Sequence, residues 1–332
     1  MTTHTQALTG TVSGLASATQ ANVISENLAK MVSSGTAPTT TSTGFLTLSG
    51  MWWHDTANNQ VKVRDLADTT WIVVGSFDQT AKTFVAAATG IAAIQGAVKN
   101  LKIDTRSGSV IITADELVVE TTGNTFGVVR TVSATIVPTT TGANGRDTGS
   151  LAANTWYSVW IIYNGATVAG LISASATAPT MPSGYTYKAR VGWVRTNATP
   201  VLLPTLQIGD VAQYIVDGSL LTGLPQIAGG GVGNPSTPTW SAAAWATFAP
   251  ASARRLSFVL SGTNSTNGNA AIAPNGNYGG GSSGTNSPVG LLWGMTNGGG
   301  AVQVQLVPES ANIYVATQNN ARIYVAGWED NR

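Results

Sequence analysis

His4 and His54 are the only histidines in the chain, so a Ser-His-Asp nucleophile or an imidazole-bound metal would have to be built on one of them. Asp55 follows His54, but with no cysteine and no third histidine a nitrogen or sulfur shell for zinc cannot be completed. The pair reads as a turn after the Trp52-Trp53 run. Glycoside hydrolysis needs two carboxyl groups about 5 to 10 Å apart. Between Asp217 and Glu329 the single acid is Glu309, so the C-terminal part of one chain supplies no pair. Asp104, Asp115, Glu116, Glu120 and Asp147 leave open a site in the middle of the chain or between subunits. No GxxxxGK[ST] loop is present, and the glycines at 229–233 and 279–281 do not follow a strand and open a helix, as a nucleotide fingerprint requires. Arg254-Arg255 is the only adjacent basic pair, and a net charge of +1 provides no field to gather nucleic acid. The expectation is a protein that is not an enzyme, holds no cofactor or metal and binds no nucleic acid.

Recognition is the chemistry that the remaining residues suit. Trp240, Trp245, Tyr278, Trp293, Tyr314, Tyr324 and Trp328 fall in or beside the last hundred residues. Their rings can stack on sugars, or they can pack a core or a subunit interface. Between Ser261 and Gly300 lies a long tract rich in Gly, Asn and Ser, containing GTNSTNGNAAIAPNGNYGGGSSGTNSPVG. Loops of that composition adapt backbone and polar groups to a partner, as antibody paratopes do, and can also serve as spacers. Framing by strands favours recognition, with Asn264, Asn267, Asn269, Asn275, Asn277, Tyr278, Asn286 and Trp293 as the residues expected to touch a receptor.

These side chains have to be positioned by strands. Residues 6–30 carry loosely spaced apolar positions that permit a short helix or coiled coil, interrupted by Gly10 and Gly14. SSGTAPTTTSTG follows as an extended linker, giving an N-terminal segment 1–45. Residues 46–78 read as a small β-meander with turns at Asn58-Asn59 and Asp68-Thr69-Thr70. The Ala-rich stretch within 79–100 predicts a helical connector. From 101 to 206, strands such as TWYSVWIIYN and YKARVGWVRT recur between Gly, Asn, Pro and Ser, the pattern of an antiparallel β-sandwich. Within one of them Val159, Ile161 and Tyr163 share a face and Trp160 and Ile162 the other, which predicts a central strand. Residues 207–234 end in a glycine run and read as a connector, and 235–332 as a second β-sandwich with a hairpin turn at Asn319-Asn320.

Composition adds a constraint on assembly. Charged residues make up 9% of the 332, against about 25% in a typical soluble domain, so neutral polar groups and covered faces must keep the chain soluble. The N-terminus lacks the basic and apolar regions of a signal peptide, and no run of about 18 apolar residues is present, so synthesis in a cytoplasm without membrane insertion is expected.

Three segments carry a family resemblance. GMWWHDTANNQVKVRDLADTTWIVVGSFD is similar to a small module near the start of many phage and prophage tail fibre proteins. ANTWYSVWIIYN with TAPTMPSGYTYKARVGWVRT resembles a segment that recurs in the same proteins, and IYVAGWEDN resembles the end of tail fibre receptor-binding domains. The resemblance implies a mainly β, elongated, multi-domain fibre built as a parallel homotrimer. Its N-terminus would attach to other tail or baseplate proteins of the virion, and its C-terminal tip would contact a host surface glycan or protein. Within that family the alternatives to non-covalent adsorption are a polysaccharide-depolymerising tailspike and a structural virion fibre without receptor contact.

Overall fold

In a computed structural model of the chain, the residues described are 33–34, 36–37, 52–65, 67, 69–80, 82–86, 96–123, 125–262, 268–293 and 300–332. The helix or coiled coil expected within 6–30 lies outside them. The chain forms two compact units, residues 1–92 and 93–332. Both are β-rich, and no helix occurs among the described residues.

The first unit is a sheet whose strands follow chain order: β1 (Ser33–Ser34), β2 (Trp52–Asp55), β3 (Gln60–Arg64), β4 (Trp71–Asp78) and β5 (Thr83–Ala86). β1 runs parallel to β2, and the other pairs are antiparallel. The hairpin turn expected at Asn58-Asn59 is formed, with Asp55 opposite Gln60 and Asn59 in the left-handed region at φ 53°. Asp55 organises it. Its carboxylate accepts from the backbone N–H of Ala57 and Asn58 at 3.1 and 3.2 Å, from Asn58 Nδ2 at 2.9 Å and from Lys62 Nζ at 2.7 Å. The Lys62 ammonium also lies 4.5 Å from the ring centre of Trp53, which is buried and meets Trp71 edge-on at 5.3 Å. Asp65 plays the same part in the next turn, accepting from the N–H groups of Thr69 and Thr70 at 2.6 and 2.9 Å.

The Lys62 hydrogen bond, aided by Asn58, holds the Asp55 carboxyl at about 2, below its ordinary 3.8. A carboxyl depressed in the folded state adds stability above its unfolded value and loses it as pH falls through the folded one. The protection of amides in 52–65 of the wild-type chain should therefore exceed that of Asp55→Asn fully above about pH 4 and converge with it between about pH 4 and 2. Hydrogen exchange of the two chains at matched pH checks this, and a gap independent of pH would contradict it.

Among the described residues the second unit contains eighteen strands. They are β6 (Val98–Lys99), β7 (Lys102–Asp104), β8 (Val110–Glu120), β9 (Phe126–Ile136), β10 (Gly145–Arg146), β11 (Trp156–Tyr163), β12 (Val168–Ser173), β13 (Tyr187–Arg195) and β14 (Thr205–Ile208). Then follow β15 (Val211–Tyr214), β16 (Gln226–Gly229), β17 (Ser241–Ala244), β18 (Ala253–Gly262), β19 (Ala270–Ala273), β20 (Gly290–Leu292), β21 (Gly300–Leu306), β22 (Asn312–Thr317) and β23 (Arg322–Asp330). Fourteen of them form one sheet with the path β10-β12-β11-β13-β8-β7-β14-β15-β23-β18-β21, on which β6 and β9 pair with β8, and β16 with β23. The remaining four form a sheet in the order β17-β22-β19-β20.

Two large cores result. In the first, Val129, Val132 and Ile136 of β9 pack with Val159 and Ile161 of β11, Ile172 of β12 and Val191 of β13. The backbone of β12 comes close enough that a methyl group at Gly170 would overlap the Ile136 side chain. β11 is central, between β12 and β13, and buries Trp160 and Ile162 on its other face against Ala169 and Leu171. In the second core, Leu256, Phe258, Val304, Ile323 and Val325 of the long sheet face Ile272, Leu292, Ile313 and Val315 of the four-stranded one. Full burial of each such side chain is worth about 1.5–3 kcal/mol relative to exposure.

Three sequence expectations change. The Ala-rich stretch read as a helical connector is strand at both described ends, β5 and β6. The stretch 207–234 contributes the end of β14 and all of β15 and β16, so the sheet runs through it. Asn319-Asn320 closes no hairpin: β22 pairs with β17 and β19, β23 with β15, β16 and β18, and the turn carries the chain from one sheet to the other.

Candidate functional site

The four-stranded sheet carries the Gly-rich tract. Its strands are short, β17 and β19 are rich in Ala, and β19 is buried throughout between β20 and β22. The chain leaves β19 at Pro274 and returns in β20, and residues 275–289 between them form a loop ordered by its own polar groups. Asn275 Nδ2 donates to Glu309 Oε2 at 2.8 Å, and Asn275 Oδ1 accepts from the N–H of Asn277 at 2.9 Å. Asn286 Nδ2 donates to the Asn277 carbonyl at 3.0 Å, and its Oδ1 accepts from Ser283 Oγ at 2.5 Å. The loop is tied to the strand approach before β17 by Gly281 N–H to the Pro235 carbonyl at 2.9 Å and by Trp240 Nε1 to the Tyr278 carbonyl at 2.8 Å.

Aromatic faces gather around this loop. Trp293, just past β20, is 50% exposed, and its ring lies over Gly281, where a methyl group would overlap Cζ3 and Cε3. Tyr314 of β22, in register with Ala242 and Ala273, is half-buried with Gly276 against its ring. Tyr278 and Trp240 are also half-buried. Rings held edge or face to solvent beside amide and hydroxyl groups suit a ligand with apolar C–H faces and many hydroxyls.

The expected contact residues divide accordingly. Asn275, Asn277, Tyr278, Asn286 and Trp293 come together in or beside the loop. The Asn275 and Asn286 side chains are used to build it, whereas the Asn277 side chain is exposed and makes no hydrogen bond among the described residues. Asn269 is 4% exposed and donates to Gln318 Oε1 at 3.1 Å, so it is a structural residue. Asn264 and Asn267 lie outside the described residues. Ser283 and Glu309, which order the loop, were not singled out from the sequence; only their spacing from Asn286 and Asn275 in the fold reveals the role.

Four of the five acids of the middle strands, all but Glu120, are engaged with separate partners. Asp104 binds Arg106, Asp115 accepts from Asn100 Nδ2 at 2.6 Å, Glu116 from Arg130 Nε at 2.9 Å, and Asp147 from Ser173 Oγ at 2.6 Å. Hydrogen bonding from Arg106 lowers the Asp104 carboxyl, opposite to the direction a general acid requires. Among the described residues no group of three His, Asp or Glu side chains is placed to hold a metal ion. No protein-family model, curated protein or solved structure matches the chain.

Proposed function

We propose that this chain is the receptor-binding protein of a phage tail fibre. It acts as a parallel homotrimer that adsorbs non-covalently to a host surface glycan through the Gly-rich loop and the aromatic residues beside it. The observation that carries the reading is Trp293, a large ring half exposed to solvent yet held against Gly281 by a loop that spends its own Asn and Ser side chains on fixing that shape. Pre-ordering lowers the entropic cost of binding, and three such sites on one axis would raise avidity on a repetitive surface.

Displacing the ring from its seat should weaken binding without unfolding the chain. In Gly281→Val the added side chain occupies the ring's place. Its affinity for surface polysaccharide extracted from host bacteria should fall about tenfold or more, equivalent to about 1.4 kcal/mol, with the melting temperature little changed. Sugar release from the same polysaccharide by the wild-type chain would instead identify a depolymerase, and adsorption unaffected by the substitution would place the contact elsewhere.

A further inference from the structure

β13 ends at Arg195, and its last residues alternate between two sides. Val194 enters the first core, while Trp193 points to the other side and donates through Nε1 to Ser252 Oγ at 2.8 Å. Arg195 shares that side and stands in register with Trp156. Trp156 meets Trp328 edge-on at 5.2 Å, and Trp328 meets Tyr214 edge-on at 5.5 Å. Burial raises the Tyr214 hydroxyl, and the Arg195 charge acts against that shift.

Arg195 is only 9% exposed, and its Nε is enclosed without a hydrogen-bond partner. Among the described residues, no carbonyl, hydroxyl or carboxylate accepts from its terminal nitrogens, and no carboxylate lies within ion-pair distance. The other buried or nearly buried arginines each have acceptors, although Arg146 Nε and Arg332 Nη1 are also enclosed without one. Arg190 binds Asp330, Arg332 binds Asp210, and Arg146 donates to the carbonyls of Pro138 and Gly149. The terminal nitrogens of Arg195, unlike Nε, are not sealed from solvent, so a nearly buried side chain presents an unpaired planar fork at the surface; such a fork fits a carboxylate through two parallel hydrogen bonds.

We propose that Arg195 is the anchor of a second ligand site, which takes the carboxylate of a small acid such as a sugar acid, bordered by Trp156 and Tyr214. The site uses none of the residues of the Gly-rich loop and does not depend on the function proposed for it.

The test is thermal unfolding of the full-length chain in rising sodium D-glucuronate, with sodium chloride at matched ionic strength and D-glucose as controls. The wild-type midpoint should rise with the logarithm of ligand concentration above the dissociation constant, by about 3 °C at ten times that constant. Arg195→Met should lose the rise, and Arg195→Lys, lacking the fork, should need at least about tenfold more ligand. Acetate reproducing the shift would support the site and assign recognition to the carboxylate alone. Saturation-transfer NMR on the wild-type chain gives a reading that needs no variant: transfer to glucuronate and none to glucose is expected. Equal transfer to both sugars, no shift beyond chloride, or a shift retained by Arg195→Met would overturn the proposal.

Discussion

Replacing Asp330 by Ala should lower the stability of the chain by about 3–5 kcal/mol. Asp330 is fully buried at the end of β23, and its Oδ2 lies 2.8 Å from Arg190 Nη1, on a side chain only 15% exposed. Its Oδ1 accepts from Ser252 Oγ at 2.5 Å, and the same hydroxyl accepts from Trp193 Nε1. Arg190 in turn donates to the Asn331 carbonyl at 2.8 Å and sits 5.3 Å from the centre of the Trp193 ring. Removing the carboxylate leaves a cation with little water and no counter-charge, and deprives the Ser252 hydroxyl of its acceptor. Breaking one partner is therefore far more costly than replacing both. Arg190→Met combined with Asp330→Leu should recover most of the loss. Denaturant midpoints of the two single variants and the double variant check the cycle; additive losses would mean that the pair is not coupled.

Trp328→Ala should cost about 3–5 kcal/mol through lost burial and the cavity left behind. The indole is 1% exposed and joins the second core to the start of β11 through its edge-on contacts with Trp156 and Tyr214. Its own N–H is buried without a hydrogen-bond partner, so Trp328→Phe forfeits volume but no bond. The Phe variant should consequently lose less than half of what the Ala variant loses in the same urea titration. Equal losses would show that the indole nitrogen matters after all.

What was legible in the sequence follows from where its information lies. β11 could be placed centrally because its residues are apolar on both faces, and the Asn58-Asn59 turn could be placed because Asp55 and Asn58 supply local hydrogen bonds and Asn59 takes the left-handed backbone. Pairing over long distances was not legible. Asn319-Asn320 signals a reversal, but which sheet receives the next strand is decided by the core, where Ile323 and Val325 of β23 face Ile313 and Val315 of β22 across the layer. β15 opens a stretch that ends in a glycine run and reads as a connector, although it buries Ala212 and Tyr214 in alternation. Within the Gly-rich tract, Ala270–Ala273 is a buried strand whose small side chains give no strong β signal, and Asn269 is buried with it. Composition marked the loop and its aromatics; it could not distinguish an Asn that builds the loop from one that faces solvent, nor foresee an arginine enclosed without an anion.

The most direct test of the recognition surface is saturable binding of the labelled full-length chain to host bacteria, comparing wild type with Trp293→Ala at equal folded fraction. An exposed ring that stacks on a sugar should behave as a binding hot spot, worth about 2 kcal/mol, and its loss should weaken binding roughly thirtyfold while the melting temperature holds. Undiminished binding by Trp293→Ala would contradict the assignment of this face as the receptor contact.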